Sequence, residues 1–201
     1  LLAPNIPLLF MGEEYGETAP FLYFIEHGDP TLVDAVRKGR RAEFASFAWE
    51  GELPDPQDPA TFERSRVHPG PQTREECGQL LRWYRRLIGI RTSVPALGAA
   101  QRDQHEHDIW VEEGDQILVL YRRVLNSRAA LVILSVSRDQ ISVTLRKPLG
   151  TWELIVASWD VEFGGSGRNY VPATVVIGEQ AQTISMPAYS VAIYLECIPS
   201  M

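Results

Sequence analysis

Two hydrophobic periods divide the chain. From residue 100 onward, short apolar runs follow one another: Ile109-Trp110-Val111, Ile117 to Tyr121, Ala130 to Leu134, Ile141 to Leu145, Trp152 to Val156, Val175 to Ile177, Gln182 to Met186 and Ser190 to Leu195. Turn residues separate them, among them Glu113-Gly114-Asp115, Asn126-Ser127, Gly150, Gly164-Gly165 and Pro187. Short strands at this spacing predict an antiparallel β-sandwich. Trp110 and Trp152 are expected in its core.

Before residue 100 the period is helical. Cys77, Leu80, Leu81, Tyr84, Leu87 and Ile88 recur at steps of three and four, which puts them on one helix face. Thr73 with Glu76 reads as a capping box at the start, and Pro95 closes the segment. Asp29-Pro30 predicts another helix start, with Asp as N-cap and Pro in the first turn. Leu32, Val33, Val36, Phe44 and Phe47 carry that helix to about residue 48. The Pro-rich segment from 51 to 72 is expected to be a long, stiff surface loop. Phe21 to Ile25 reads as a short strand or a packed loop, with Phe21 and Phe24 as core beneath it. The alternative for Tyr15, Phe21, Tyr23 and Phe24 is stacking on sugar rings.

At the front, Leu8-Leu9-Phe10-Met11 is an unbroken apolar run between Pro7 and Gly12. Such a run suits a strand covered on both faces, as in a parallel sheet. Glu13 and Glu14 follow at once, placing two acids at the end of the strand.

Composition narrows the picture. The 201 residues are 45% hydrophobic and 22% charged, an ordinary globular balance and a length for one or two domains. The net charge of -7 argues against nucleic acid and anionic membrane as partners, since both attract basic surfaces. The run Arg37-Lys38-Gly39-Arg40-Arg41 reads as a solvated helix face. No apolar run approaches the roughly 18 residues of a membrane span, and the start lacks the basic region of a signal peptide. Cys77 and Cys197 stand far apart with no metal-ligand spacing, so a reduced, cytoplasmic protein is expected. His105 and His107 in Gln104-His105-Glu106-His107-Asp108 would share one strand face, but a turn between domains is the preferred reading over a metal site. Leu1-Leu2-Ala3-Pro4 reads as the interior of a longer protein.

The stretch "PLLFMGEEYG" resembles the eighth-strand signature of the α-amylase family of glycoside hydrolases, where an apolar strand leads into Gly-Glu-Glu. "LRWYRRLIGIRTSVPAL" is similar to the family's last barrel helix. "FMGEEYGETAPFLYF", "HGDPTLVDAVRKGRRAEFASF" and "PDPQDPATFERSRV" resemble a branch that cuts the α-1,4 bond beside a terminal trehalose on a maltooligosaccharide. One departure is His68-Pro69-Gly70-Pro71, where a lysine or leucine-aspartate continuation is expected.

The resemblance implies an α/β plus β fold: residues 1–99 end a (β/α)8 TIM barrel with its last strand and closing helices, and 100–201 form the C-terminal all-β domain. It implies an α-glucan substrate, no cofactor, and no metal. Retaining hydrolysis uses two carboxyl groups about 5 to 5.5 Å apart. Neighbours on an extended chain point to opposite sides, so Glu13 and Glu14 make a poor facing pair. The family's nucleophile, acid/base and third carboxylate lie upstream of the eighth strand, so none is expected here. The missing N-terminal part of the same protein is then the expected partner, and the chain alone is expected to be inert.

Barrel sites sit at the C-terminal ends of strands, which makes Glu13, Glu14 and Tyr15 the candidate substrate-binding residues. The competing reading has one acid capping the turn and the other paired with an arginine. Rival identities are a related branching or debranching enzyme, a noncatalytic carbohydrate-binding β module, and a regulatory module without sugar contact.

Overall fold

The computed structural model describes residues 1–46, 53–68, 74–98, 105–112, 114 and 116–198. Its helices are α1 (Pro30–Ser46), α2 (Pro59–Arg64) and α3 (Glu75–Ser93). Its strands are β1 (His105–Glu112), β2 (Ile117–Val124), β3 (Ala130–Ser135), β4 (Ile141–Leu145), β5 (Gly150–Ala157), β6 (Thr174–Ile177), β7 (Gln182–Met186) and β8 (Val191–Glu196). The chain forms two compact units, Leu1–Tyr15 with Arg74–Met201, and Gly16–Thr73. The break expected near residue 100 falls at 99–104, outside the described residues.

In the first unit every strand expected after residue 100 is present, and all pairings are antiparallel. Six strands form one sheet in the order β1-β2-β3-β8-β5-β6, and β4 pairs with β7 in a second. The two sheets enclose a core of Ile117, Val119, Leu131, Ile133, Val143, Leu145, Trp152, Ile184, Met186 and Tyr194. Trp152 is buried, and Trp110 packs against this core from β1.

The large sheet is covered on its other face as well. Leu87 and Ile90 of α3, with Ala96 and Leu97 just after it, pack on Leu120, Ala130, Val132, Val156, Ile193 and Leu195. Alternate residues of a strand face opposite sides. Ala130 and Val132 therefore meet α3, while Leu131 and Ile133 meet the small sheet. This explains why β3 and β8 are apolar at successive positions instead of alternating. Each large aliphatic side chain so buried contributes about 1.5–3 kcal/mol of transfer free energy.

The helix N-terminus differs from expectation. Its N-cap is Arg74, with no side-chain cap hydrogen bond, and Thr73 lies outside the described residues. Near the other end, two buried arginines tie irregular segments down. Arg122 of β2 donates to the carbonyls of Leu97 and Gly98, each at 3.1 Å. Arg91 of α3 donates to the carbonyls of Leu1, Ala3 and Asn5.

Leu8 to Met11 is not a strand here, which corrects the expectation from its apolar run. It is irregular and exposed, with Leu8 91% and Met11 66% accessible. The physical reason is that a strand is stabilised by ladder partners and covered faces, and no described strand of this chain lies beside it.

The second unit contains α1 and α2. Asp29 starts α1 as expected, its carboxylate accepting from Thr31 N at 2.8 Å. The same Asp-Pro signal recurs at Asp58-Pro59, and α2 begins there with Asp58 accepting from Ala60 N. The segment from 51 to 72 is therefore not wholly a loop; a helical turn sits inside it. Phe21 to Ile25 is irregular, and Phe21 is 77% exposed. Core packing is thus corrected for Phe21 and for Phe24, which is 42% exposed and meets the similarly exposed Phe62 edge-on at 5.1 Å.

Candidate functional site

The candidate acids lie on a short 3-10 turn, Glu13–Tyr15, bracketed by Gly12 at φ 96° and Gly16 at φ 68°. Only glycine adopts such angles without steric cost, so the two glycines set where the turn begins and ends. Inside it each carboxylate folds back on the backbone. Glu13 Oε2 accepts from Phe10 N at 3.0 Å, while Glu13 N donates to Phe10 O at 3.1 Å. Glu14 Oε2 accepts from Gly12 N at 3.0 Å.

The extended-chain picture of two acids on opposite sides is corrected accordingly. The pair sits on a tight turn, and both acids accept from backbone upstream of them. The partner of Glu13 beyond the turn is not an arginine but Tyr84, whose hydroxyl donates to Oε1 at 3.1 Å. Burial is the main force raising the Tyr84 phenol above its ordinary pKa; the hydrogen bond to Glu13 and the charges of Glu13 and Glu14 add to it.

Helix α3 supports this turn at two levels. Tyr84 holds Glu13, and Arg91, two helical turns further along the same face, gathers the carbonyls of the lead-in segment. Both Glu13 oxygens are thereby engaged. Glu14 Oε1 has no hydrogen-bond partner among the described residues. Glu14 and Tyr15 are half-buried. The turn thus presents one uncommitted carboxylate oxygen on a braced backbone.

The structure brings Glu13, Glu14 and Tyr15 together as their adjacency requires. It adds two supporting residues, Tyr84 and Arg91, that were not singled out for this role. The signal for Tyr84 was its polar tip within an otherwise aliphatic helix face. Arg91 carried no such signal, because its carbonyl partners come from residues 1 to 5.

Other candidate chemistry resolves differently. His105 and His107 fall in β1, and Gln104 lies outside the described residues. Among the described residues no group of three His, Cys, Asp or Glu side chains is placed to hold a metal ion. Asp108 instead pairs with Lys147 at 2.9 Å, and the Lys147 ammonium lies 4.4 Å from the Trp110 ring centre. Cys77 and Cys197 are free thiols. Among the described residues no helix is long and apolar enough to cross a membrane.

In the second unit, Glu17 is a distinct acid. Its carboxylate accepts from the backbone of Thr18, Ala19 and His68 at 2.7–2.8 Å, and the His68 ring Nδ1 lies 2.6 Å away. These bonds, the His68 side chain's first, hold its pKa down to about 2. His68, where the sequence departs from the family pattern, thus joins the two ends of this unit; residues 69–73 lie outside the described residues.

No protein-family model matches the chain. A malto-oligosyltrehalose trehalohydrolase of Arthrobacter ramosus is 34% identical over 172 residues, covering 83% of this chain and 26% of that protein. One from Rhizobium sp. (strain M-11) is 44% identical over 98 residues, covering 48% of this chain and 16% of its own. The crystal structure of a protein assigned as an α-amylase of Salmonella typhimurium superposes with a TM-score of 0.69 at 30% identity, over 98% of this chain and 29% of that one. The chain belongs to the malto-oligosyltrehalose trehalohydrolase family. Malto-oligosyltrehalose trehalohydrolases are glycoside hydrolases of the α-amylase family, and the match covers their C-terminal region. The chain spans about a quarter of the length of the Arthrobacter trehalohydrolase.

Proposed function

We propose that this chain is the C-terminal part of a retaining glycoside hydrolase that releases trehalose from maltooligosyltrehalose by cutting the adjoining α-1,4 bond. Residues 1–99 complete a (β/α)8 barrel, and residues 100–201 form its terminal β domain. In the full-length protein Leu8 to Met11 becomes the last barrel strand, beside neighbours supplied by upstream polypeptide. The catalytic carboxyl pair also lies upstream, so the 201 residues alone do not turn over substrate. The protein works in the cytoplasm, in keeping with its two unpaired thiols.

The observation that carries the reading is the braced Gly-Glu-Glu turn with one open carboxylate oxygen, in a chain 34% identical to a trehalohydrolase. In this reading Glu14 accepts a sugar hydroxyl, Tyr15 lies against the same sugar, and Glu13 orients the turn. A hydrogen bond to a charged group is worth about 1.5–3 kcal/mol, or roughly 10- to 100-fold in kcat/KM. The test is Glu14→Gln in the full-length protein, assayed for trehalose release from maltooligosyltrehalose. A loss of about tenfold or more in kcat/KM is expected. An unchanged value removes Glu14 from the substrate, and turnover by the 201-residue chain alone overturns the placement of the catalytic acids.

A further inference from the structure

We propose that the second unit carries a binding site for a phosphate monoester on a small polar body of hexose size, separate from the Gly-Glu-Glu turn. The starting point is the basic run of α1. The run is solvent-accessible, as expected of a solvated helix face: Lys38 and Arg41 are exposed, and Arg37 and Arg40 are half-buried. Arg37, Arg40 and Arg41, at the i, i+3, i+4 spacing of one helix face, also line a cavity of 410 Å³ that is open to solvent. Helix α2 completes the wall with Arg64, one turn on from the buried Thr61. The volume falls within the range of small-molecule sites.

Among the described lining residues, four guanidinium groups against Asp55 and Asp58 leave a surplus of two positive charges. This surplus sits in a chain whose net charge is -7. The two carboxylates are engaged within the wall, and Asp55 also feels the charge of Arg41 without a direct contact. Asp55 receives a two-pronged contact from Arg37, at 2.9 and 2.7 Å, and a third bond from Gln57 N. Asp58 caps α2 through Ala60 N. Arg40 is committed too: it pairs with Glu43 at 2.7 Å, and its guanidinium lies 4.8 Å from the Tyr23 ring centre and 4.6 Å from that of Phe44.

Arg41 and Arg64 remain. Neither makes an ion pair among the described residues, and they reach the cavity from different helices. Guanidinium forks match the oxygens of a phosphate. Two of them match the nearly twofold negative charge that a phosphate monoester carries at neutral pH. The Thr61 hydroxyl is already spent on Asp55 O at 2.6 Å, so the recognising groups are the two arginines.

The test is calorimetric titration of the 201-residue chain at fixed ionic strength with glucose 6-phosphate, inorganic phosphate and glucose. Saturable one-site binding is expected for glucose 6-phosphate, weaker binding for inorganic phosphate and none for glucose. The double variant Arg41→Gln/Arg64→Gln should lose at least tenfold in affinity with an unchanged melting temperature. Lys38→Gln removes a charge from the same run but lies outside the cavity, and it should bind as the parent does. Absence of saturable binding overturns the proposal. So does an affinity that survives the double variant, or one that falls equally in Lys38→Gln, which would mark diffuse charge attraction. Because no catalysis is read, the outcome is independent of the glycosidase reading.

Discussion

Leu8-Leu9-Phe10-Met11 and Leu131-Val132-Ile133-Leu134 are nearly interchangeable as sequence. One is irregular and exposed, the other a strand covered on both faces. The difference lies wholly in their neighbours. β3 has β2 and β8 beside it, α3 on one face and the small sheet on the other. Among the described residues, Leu8 to Met11 has no strand beside it. An apolar run therefore specifies that a segment be covered, and the covering element decides whether it becomes a strand.

The contrast can be broken most severely in the sandwich. Trp152→Ala should cost about 3–5 kcal/mol, whereas Leu8→Ser in the same 201-residue chain should change stability by no more than about 0.5 kcal/mol. Paired denaturant melts measure both; a comparable loss for Leu8→Ser would show that the run is buried after all. Arg91→Met should come next, at about 1–3 kcal/mol, because the lead-in carbonyls of Leu1, Ala3 and Asn5 lose a buried, charged donor. Loss of amide protection confined to the lead-in segment and the acid turn would localise the effect.

A smaller effect is expected for Tyr84→Phe, about 1 kcal/mol or less. In the parent, the raised phenol pKa makes the contribution of Tyr84 complete below its ordinary value of 10.0. It is lost as pH climbs through the raised value. Over the alkaline range the Glu13 side-chain resonance, followed by NMR, should therefore shift only above pH 10 in the parent and stay fixed in Tyr84→Phe.

Glu17 gives the mildest test, with the opposite sign. Its pKa lies at about 2 against an ordinary 4.5. Its stabilisation is present above pH 4.5 and drains away as pH falls toward 2. The amides of Thr18, Ala19 and His68 should move together over that range, and Glu17→Gln should abolish the shared transition.

How much of this was legible from sequence follows the same logic of neighbours. The eight strands were readable because each run meets a partner within the chain. The start of α1 was readable because Asp29 and Pro30 act on their own backbone. The identical signal at Asp58-Pro59 was outweighed by the surrounding prolines, so α2 was missed. At the acid turn, Gly12 and the two acids were visible as a motif. Their hydrogen bonds to Phe10 and Gly12 were not, since an apolar run leading into two acids reads as an extended path. Arg91 and Arg122 escaped entirely: a buried arginine is justified by carbonyls distant in sequence, and no local pattern announces them. Helical spacing places Tyr84 on an apolar face and says nothing of its phenol, which donates to Glu13.

The central claim is that Leu8 to Met11 becomes a strand only when upstream polypeptide covers it. Amide hydrogen exchange at Leu8, Leu9 and Met11, compared between the 201-residue chain and the full-length protein, tests it directly. Exchange near the unprotected rate in the short chain and strong protection in the full-length protein is the expected result. Equal rates in the two would contradict it.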